Sequence, residues 1–444
     1  MRVCIISSGD YFSTYGGGQI YVKNLVKGLV QKGHKVNVVS VSFGTYSIKL
    51  AKEIQNIDGV EVWQIGLPST SIDVDKSMEL QDAMLGILNE VLSEIAPDVV
   101  HANGWKYATS KVCKDINVPC VVTAHHGGIV CPNGMLMNQD DTICNVPASM
   151  ENCLKCTLYF VPGGNFWSHV VQNLPKHFAL SLAKSLKGMK NIPYVSPAFQ
   201  TPLGIINKLQ QIEVLRSAPD CVIAPSNAIA EALMKNGVPI SKIKVIPHGI
   251  EALEKKPLES GLPNRPLRLG YVGRISYIKG LHVLIDALKL LPNDAHYELH
   301  IYGDAASKSE KKYRNMLKEK SKNIPVIWHG KVDYDKIDQT YASFDVMILP
   351  SICLEVFGLT VLESLSSGRP VITTRCGGPE DLIKDGIDGI FVEPNNTQDL
   401  SKVLKRCIDK PEYIQKLAAN ISEVNTLEKH MNDLEQIYKE ISGE

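Results

Sequence analysis

No stretch of this 444-residue sequence is long and apolar enough to read as a membrane span. The opening run, MRVCIISSGDYF, lacks the long apolar core and small-residue cleavage site of a secretory leader. It enters a buried-strand pattern at once. An excess of charge is missing too: 47 Lys and Arg balance 47 Asp and Glu, for a formal net charge of +0. No global field favours a polyanion, so nucleic acid is not expected as a partner. These absences lead us to expect a cytoplasmic protein. What is present is the composition of a globular chain, 44% hydrophobic and 21% charged, with length for two domains.

Cysteine is not scarce. Of 11, Cys4, Cys120, Cys221 and Cys376 fall singly in apolar runs and read as small buried hydrophobes. Cys131, Cys144, Cys153 and Cys156 instead gather in a polar stretch, CPNGMLMNQDDTICNVPASMENCLKC. Cys153-x-x-Cys156 has metal-ligand spacing, and four thiolates suit a tetrahedral structural site. Zinc is the reading we prefer. An iron–sulfur cluster is less favoured, and two labile disulfides or four unliganded thiols would fit the same pattern.

The rest of the chain alternates short apolar runs with amphipathic ones. Strand RVCIIS leads into a glycine-rich loop at Gly16, Gly17 and Gly18, then a helical run IYVKNLVKGLVQKG and strand KVNVVSVS, a βαβ unit. Such a loop lets a ligand approach the carboxyl end of the first strand, although a tight turn would look the same. His125 and His126 follow the strand PCVVTA. Adjacent side chains cannot face one point, so at most one of them is catalytic. Residues 161–206 mix aromatics, lysines and apolar residues. They read as a helical excursion packed on the sheet, with an amphipathic membrane-facing surface as the alternative. Residues 251–265 are charged and proline-rich, as a linker is. A second alternating block follows. After its first strand, LRLGYVGR, come Arg274 and Lys279, two cations suited to a diphosphate.

The most informative stretch covers residues 348–394. The end of an apolar strand, VMILPS, is followed by Glu355, then by a helix-like run starting near Phe357, Gly358 and Leu359 and carrying Glu363. Strand PVITT and a Gly377-Gly378 turn come next. A helix N-terminus offers free N–H groups and the positive end of a dipole to an anion. Two carboxylates beside it would serve hydroxyl groups instead. Phosphate and polyol together describe a nucleotide-sugar.

Glu355-x7-Glu363, the GRPVI strand, GRISYIKGLHVLIDAL and GGGQIYVKNLVKGLVQKGHKVNVVS together resemble the retaining GT-B glycosyltransferases of family 4 over most of the chain. The resemblance implies α/β architecture: two doubly wound Rossmann-like domains facing across a cleft, with a last helix crossing back to the first. We expect the acceptor-side domain at 1–250, carrying the cysteine-bearing insertion at about 127–160 and the helix 425–444. The linker is 251–265 and the nucleotide-sugar domain 266–424. The implied roles are specific. Gly16 and Gly17 lie against the donor diphosphate, with Phe357, Gly358 and Leu359. Arg274 and Lys279 neutralise it. Glu355 binds the sugar hydroxyls, Glu363 the ribose, and His125 positions the sugar; Gln19 lies on the acceptor side. The expected activity is transfer of a hexose-type sugar from a nucleoside diphosphate sugar to a hydroxyl of a glycan, lipid-linked or small-molecule acceptor, without a catalytic metal and with peripheral membrane contact as an option. An epimerase of the same fold and a non-catalytic nucleotide-sugar-binding scaffold are the competing readings. Ala305 stands where the family often has a second glycine, which weakens a nucleotide contact there.

Overall fold

The computed structural model describes residues 1–444 except 8, 10, 12–16, 46–48, 58–59, 69–77, 162–164, 186–194, 259–264 and 444. It divides into two compact units. The first comprises Met1–Gln139, Asn145–Pro247 and Glu428–Glu444; the second comprises Asp140–Cys144 and His248–Leu427.

The first unit is built on eight strands: β1 (Arg2–Ile6), β2 (Lys35–Thr45), β3 (Lys49–Ile57), β4 (Val60–Pro68), β5 (Val99–Ala102), β6 (Cys120–Thr123), β7 (Cys221–Ala224) and β8 (Ile243–Val245). Their order is β3-β4-β2-β1-β5-β6-β7-β8. Every pairing is parallel except β3 with β4. Residues of β5, β6 and β7 are buried throughout. Both faces are covered by helices, which is why these strands read as unbroken apolar runs rather than alternating ones. β1 has β2 on one side and β5 on the other, so the winding reverses there. Loops at the carboxyl ends beside such a reversal form a ligand crevice.

The second unit repeats the plan with six strands: β9 (Leu267–Val272), β10 (Tyr297–Tyr302), β11 (Val326–Gly330), β12 (Val346–Leu349), β13 (Val371–Thr374) and β14 (Gly389–Val392). The order is β11-β10-β9-β12-β13-β14, all parallel, and the reversal lies between β9 and β12. Val361 of the helix Leu359–Ser366 shares a core with Tyr341, Phe344, Met347 and Val371. These are two parallel sheets with flanking helices, two Rossmann-like domains.

The helical excursion is real. Helices Asn165–Asn173, Lys176–Ser185 and Val195–Ser217 surround a small core of Leu158, Val171, Ala198 and Phe199. Among the described residues no helix is long and apolar enough to cross a membrane. The closing helix, Leu427–Ser442, returns to the first unit, where Met431 packs against Gly28 and Glu435 bonds Lys32 at 2.9 Å.

The cysteine-bearing stretch shows no metal-binding cluster: among the described residues, no group of three or more His, Cys, Asp or Glu side chains could hold a metal ion. Cys153 and Cys156 lie on the helix Met150–Tyr159. The Cys131 thiol donates to Asn133 Oδ1 at 2.8 Å, and the Cys156 thiol donates to the Met137 carbonyl at 3.4 Å while accepting from Asn133 Nδ2 at 3.3 Å. Cys144 belongs to the second unit and the other three to the first. Spacing alone suggested a four-thiolate site for Cys131, Cys144, Cys153 and Cys156. The fold gives at least two of these sulfurs amide and carbonyl partners instead.

Candidate functional site

In the second unit the carboxyl ends of β9, β12 and β13 bring three loops together. The loop after β9 turns at Tyr277–Lys279 and enters the helix Leu281–Lys289 through Gly280. Gly280 has φ +67°, and a Cβ there would sit 1.8 Å from the Pro350 carbonyl oxygen. Only glycine allows the two loops to touch. That approach delivers Lys279 to the loop after β12.

Lys279 Nζ donates to Glu355 Oε1 at 2.5 Å, and the Ser351 hydroxyl donates to the same oxygen. Both charged side chains are largely buried, 23% and 11% exposed, so neither is a freely solvated charge. Burial pushes the Glu355 carboxyl up, but Lys279 beside it and the hydrogen bonds from Lys279 and Ser351 win, holding it below the ordinary glutamate value. Burial likewise pulls the Lys279 ammonium down, and Glu355 more than restores it, so its value is raised.

The Glu355 loop is pinned to the loop after β13. Glu355 N donates to the Cys376 carbonyl at 2.6 Å and Gly378 N to the Glu355 carbonyl at 2.8 Å. A Cβ on Gly378 would meet the Phe357 backbone at 2.3 Å, which accounts for the double glycine in the sequence. Gly358, at φ +94°, caps the helix Leu359–Ser366, whose first turn holds no acid. The first N–H groups of that helix have no intrahelical carbonyl partner and carry the positive end of its dipole. One turn in, Glu363 accepts from the Tyr341 hydroxyl at 2.7 Å. Burial pushes its carboxyl up to about 7, against the opposing pull of Tyr341. Arg274 is exposed, with its Nε 3.4 Å from Glu310 Oε1.

In the first unit His125 follows β6. Its Nε2 lies 2.6 Å from Asn103 Oδ1, and the Tyr21 ring packs edge-on against it at 4.6 Å. His126 is exposed. Tyr21 lies on the helix Gly17–Gln31, which Gly17 opens; Gly16 lies outside the described residues. The Gln19 amide nitrogen comes close to Gly9, beyond the carboxyl end of β1. The structure thus groups Lys279, Glu355, Phe357, Gly358, Leu359 and Glu363 in one unit, and His125 and Gln19 in the other. Sequence reasoning missed Ser351, Tyr341, Asn103 and Tyr21. Ser351 could have been found, because it sits at a strand end four residues before Glu355. Tyr341 reaches Glu363 from another helix and leaves no local signal.

What the second-unit cluster offers is an ammonium, a row of helix N–H groups and two carboxylates, with the exposed Arg274 guanidinium on the same loop as Lys279. The cations and the N–H groups suit phosphate oxygens, and the carboxylates suit hydroxyls. Two Rossmann-like units with this equipment define the GT-B class of glycosyltransferase, which acts on nucleotide sugars. Comparison with known proteins agrees. The family described as Glycosyl transferases group 1 matches residues 254–424, and that described as Glycosyltransferase Family 4 matches residues 15–137. The chain belongs to these glycosyltransferases. An uncharacterized glycosyltransferase of Methanocaldococcus jannaschii is 23% identical over 407 residues, 87% of this chain and 83% of that protein. The sulfoquinovosyl transferase of Arabidopsis thaliana is 30% identical over 202 residues, but only 42% of this chain and 38% of that protein. Among solved structures, Anabaena HepE in complex with UDP and glucose superposes with a TM-score of 0.64 at 17% identity, covering 98% of this chain and 99% of that one.

Proposed function

We propose that this protein is a retaining glycosyltransferase that moves a hexose-type sugar from a nucleoside diphosphate sugar to an acceptor hydroxyl, in the assembly of a glycan, polysaccharide or glycolipid. The observation that carries this reading is the cluster of Lys279, Glu355 and the N-terminus of the helix Leu359–Ser366, held together by the Gly280 and Gly378 contacts. As the glycosidic bond lengthens, negative charge grows on the leaving diphosphate. Preorganised donors that face this charge stabilise the transition state more than the ground state. Lys279 and the helix N–H groups supply them, with Arg274 as the third group assigned to the diphosphate. No divalent cation is needed for that task.

Glu355 orients the sugar through its hydroxyls and Glu363 receives the ribose. His125 holds the sugar near its reacting carbon, and the departing phosphate takes the acceptor proton. The HepE structure contains UDP and glucose, so UDP-glucose is the first donor to try.

Thermal-shift binding to a panel of nucleoside diphosphates and their sugars, first without metal and then with magnesium, tests the donor site. Donor hydrolysis without acceptor tests the chemistry. We expect metal-free stabilisation by one base, slow hydrolysis, and loss of both transfer and hydrolysis in Glu355→Ala with the fold intact. Binding without any turnover would leave a nucleotide-sugar-binding scaffold. Conversion of the sugar while it remains on its nucleotide would indicate an epimerase.

A further inference from the structure

We infer that Asn103 is a positioning residue for His125, fixing which ring nitrogen carries the proton and where the other one points. The inference rests on the glycosyl-transfer reading above and names a residue that this reading does not use.

Asn103 follows β5 directly and is 3% exposed. Its own backbone is tied down: Asn103 N and Gly104 N both donate to the Ile6 carbonyl, at 2.9 and 3.0 Å, and its carbonyl accepts from Lys106 Nζ at 2.9 Å. Oδ1 and Nδ2 of an amide are distinguished by their surroundings. Here Nδ2 faces the His101 carbonyl at 3.5 Å, an acceptor that would repel an oxygen. Oδ1 therefore faces His125, and an amide oxygen accepts only. The 2.6 Å contact requires His125 Nε2 to carry a proton and donate it. In the neutral ring Nδ1 then holds the lone pair and is the acceptor nitrogen. Tyr21 against the ring restricts its rotation. Hydrogen-bond partners of this kind fix tautomer and ring direction at functional histidines.

The experiment uses the full-length protein with 15N-labelled histidine. The His125 signal is assigned by its loss in His125→Gln. A hydrogen bond of this length to a buried amide slows exchange of the imidazole proton with water, so the wild type should show a persistent downfield Nε2–H resonance. Asn103→Asp keeps an acceptor oxygen in place and should keep the resonance. Asn103→Leu should abolish it. In parallel, Asn103→Leu should lower kcat about tenfold to a hundredfold, with donor KM within about twofold, because a misaligned reacting group loses rate rather than affinity. Asn103→Asp should recover much of that loss. If Asn103→Leu does not fold, Asn103→Ser removes the reach of the amide with less disturbance. Persistence of the resonance in the Leu or Ser variant would overturn the inference, as would an unchanged kcat or a proportional change in kcat and KM. If the wild type transfers no sugar at all, the glycosyl-transfer reading fails, while the resonance still decides the Asn103 contact.

Discussion

Lys279 Nζ lies 2.5 Å from Glu355 Oε1, so the group proposed for the diphosphate and the group proposed for the sugar are bound to each other. In the glycosyl-transfer reading proposed above, the donor meets them as a pair. Phosphate oxygens compete with Glu355 for the ammonium, and sugar hydroxyls compete with Lys279 for the carboxylate. The pairing offsets the cost of holding either charge in a largely buried place.

Replacing Glu355 with Gln separates these effects. Lys279 would be left in a largely buried place without its counter-charge, a loss of about 3 kcal/mol in stability. The released ammonium should bind a nucleoside diphosphate without sugar more tightly than wild type does, while turnover falls about a hundredfold or more. Glu355 has a depressed folded value, so its stabilisation is present above the ordinary glutamate range and lost as pH falls through that value. Lys279 has a raised one, so its stabilisation is present below the ordinary lysine value and lost as pH rises through the raised one. The stability advantage of the wild type over the variant should vanish at both extremes. Calorimetric melting across pH checks stability, and titration with UDP checks affinity. Weaker UDP binding in Glu355→Gln would refute the competition.

Glu363 gives the opposite pH dependence. Its carboxyl sits at about 7 rather than 4.5, so folding favours the protonated form. The stability it contributes is complete below the unfolded value and is lost as pH rises through about 7. Glu363→Gln, a neutral isostere, should match wild type in melting temperature at pH 5 and exceed it at pH 8. An ionised carboxylate is the better acceptor for ribose hydroxyls. Wild-type affinity for the nucleotide should therefore strengthen from pH 6 to pH 8, and that of Glu363→Gln should stay flat. A flat wild-type profile would place the ribose elsewhere.

Much of this architecture could be read from the sequence because parallel strands covered on both faces leave unbroken apolar runs. β5, β6, β12 and β13 are of that kind. β3 was not legible, since KLAKEIQNI carries polar residues and pairs antiparallel at an edge. Lys279 and Glu355 were each visible as chemistry, but their pairing spans 76 residues and depends on the Gly280 approach to Pro350. The cysteines meet the same limit. Their spacing is local information, whereas assembling four sulfurs is a tertiary event, and here Asn133 and Met137 take up two of them.

Gly280 tests how far the donor cluster depends on one close approach. Alanine there would carry a left-handed φ and a Cβ 1.8 Å from a carbonyl oxygen that cannot move without displacing Ser351. Gly280→Ala should cost about 2–4 kcal/mol. It should also weaken nucleotide binding, because Lys279 precedes the strained residue. Gly18, with nothing within 4 Å of its added Cβ, is the control: Gly18→Ala should melt near the wild-type temperature. Equal stability of the two variants would mean that the loops can separate without cost.

Tyr21 links the closing helix to His125, and its two parts can be tested apart. The ring packs on His125, while the hydroxyl lies 3.0 Å from His430 Nε2. His430 Nδ1 donates to the Pro247 carbonyl at 2.8 Å, so Nε2 of the neutral ring is the acceptor and the Tyr21 hydroxyl donates to it. Burial pulls His430 down to about 4, which keeps the ring neutral at working pH. Tyr21→Phe retains the ring contact but removes the buried hydrogen bond to His430 Nε2, at about 1–3 kcal/mol. Its kcat should stay within about threefold of wild type. Tyr21→Ala removes the ring as well, adds a cavity, and should lower kcat by a further factor of about ten as His125 gains freedom. Because His430 is depressed in the folded state, its stabilisation is present above the unfolded value and lost as pH falls toward 4. His430→Gln should therefore flatten the acid limb of the melting curve. Equal turnover in the Phe and Ala variants would show that the tyrosine ring does not hold His125 in place.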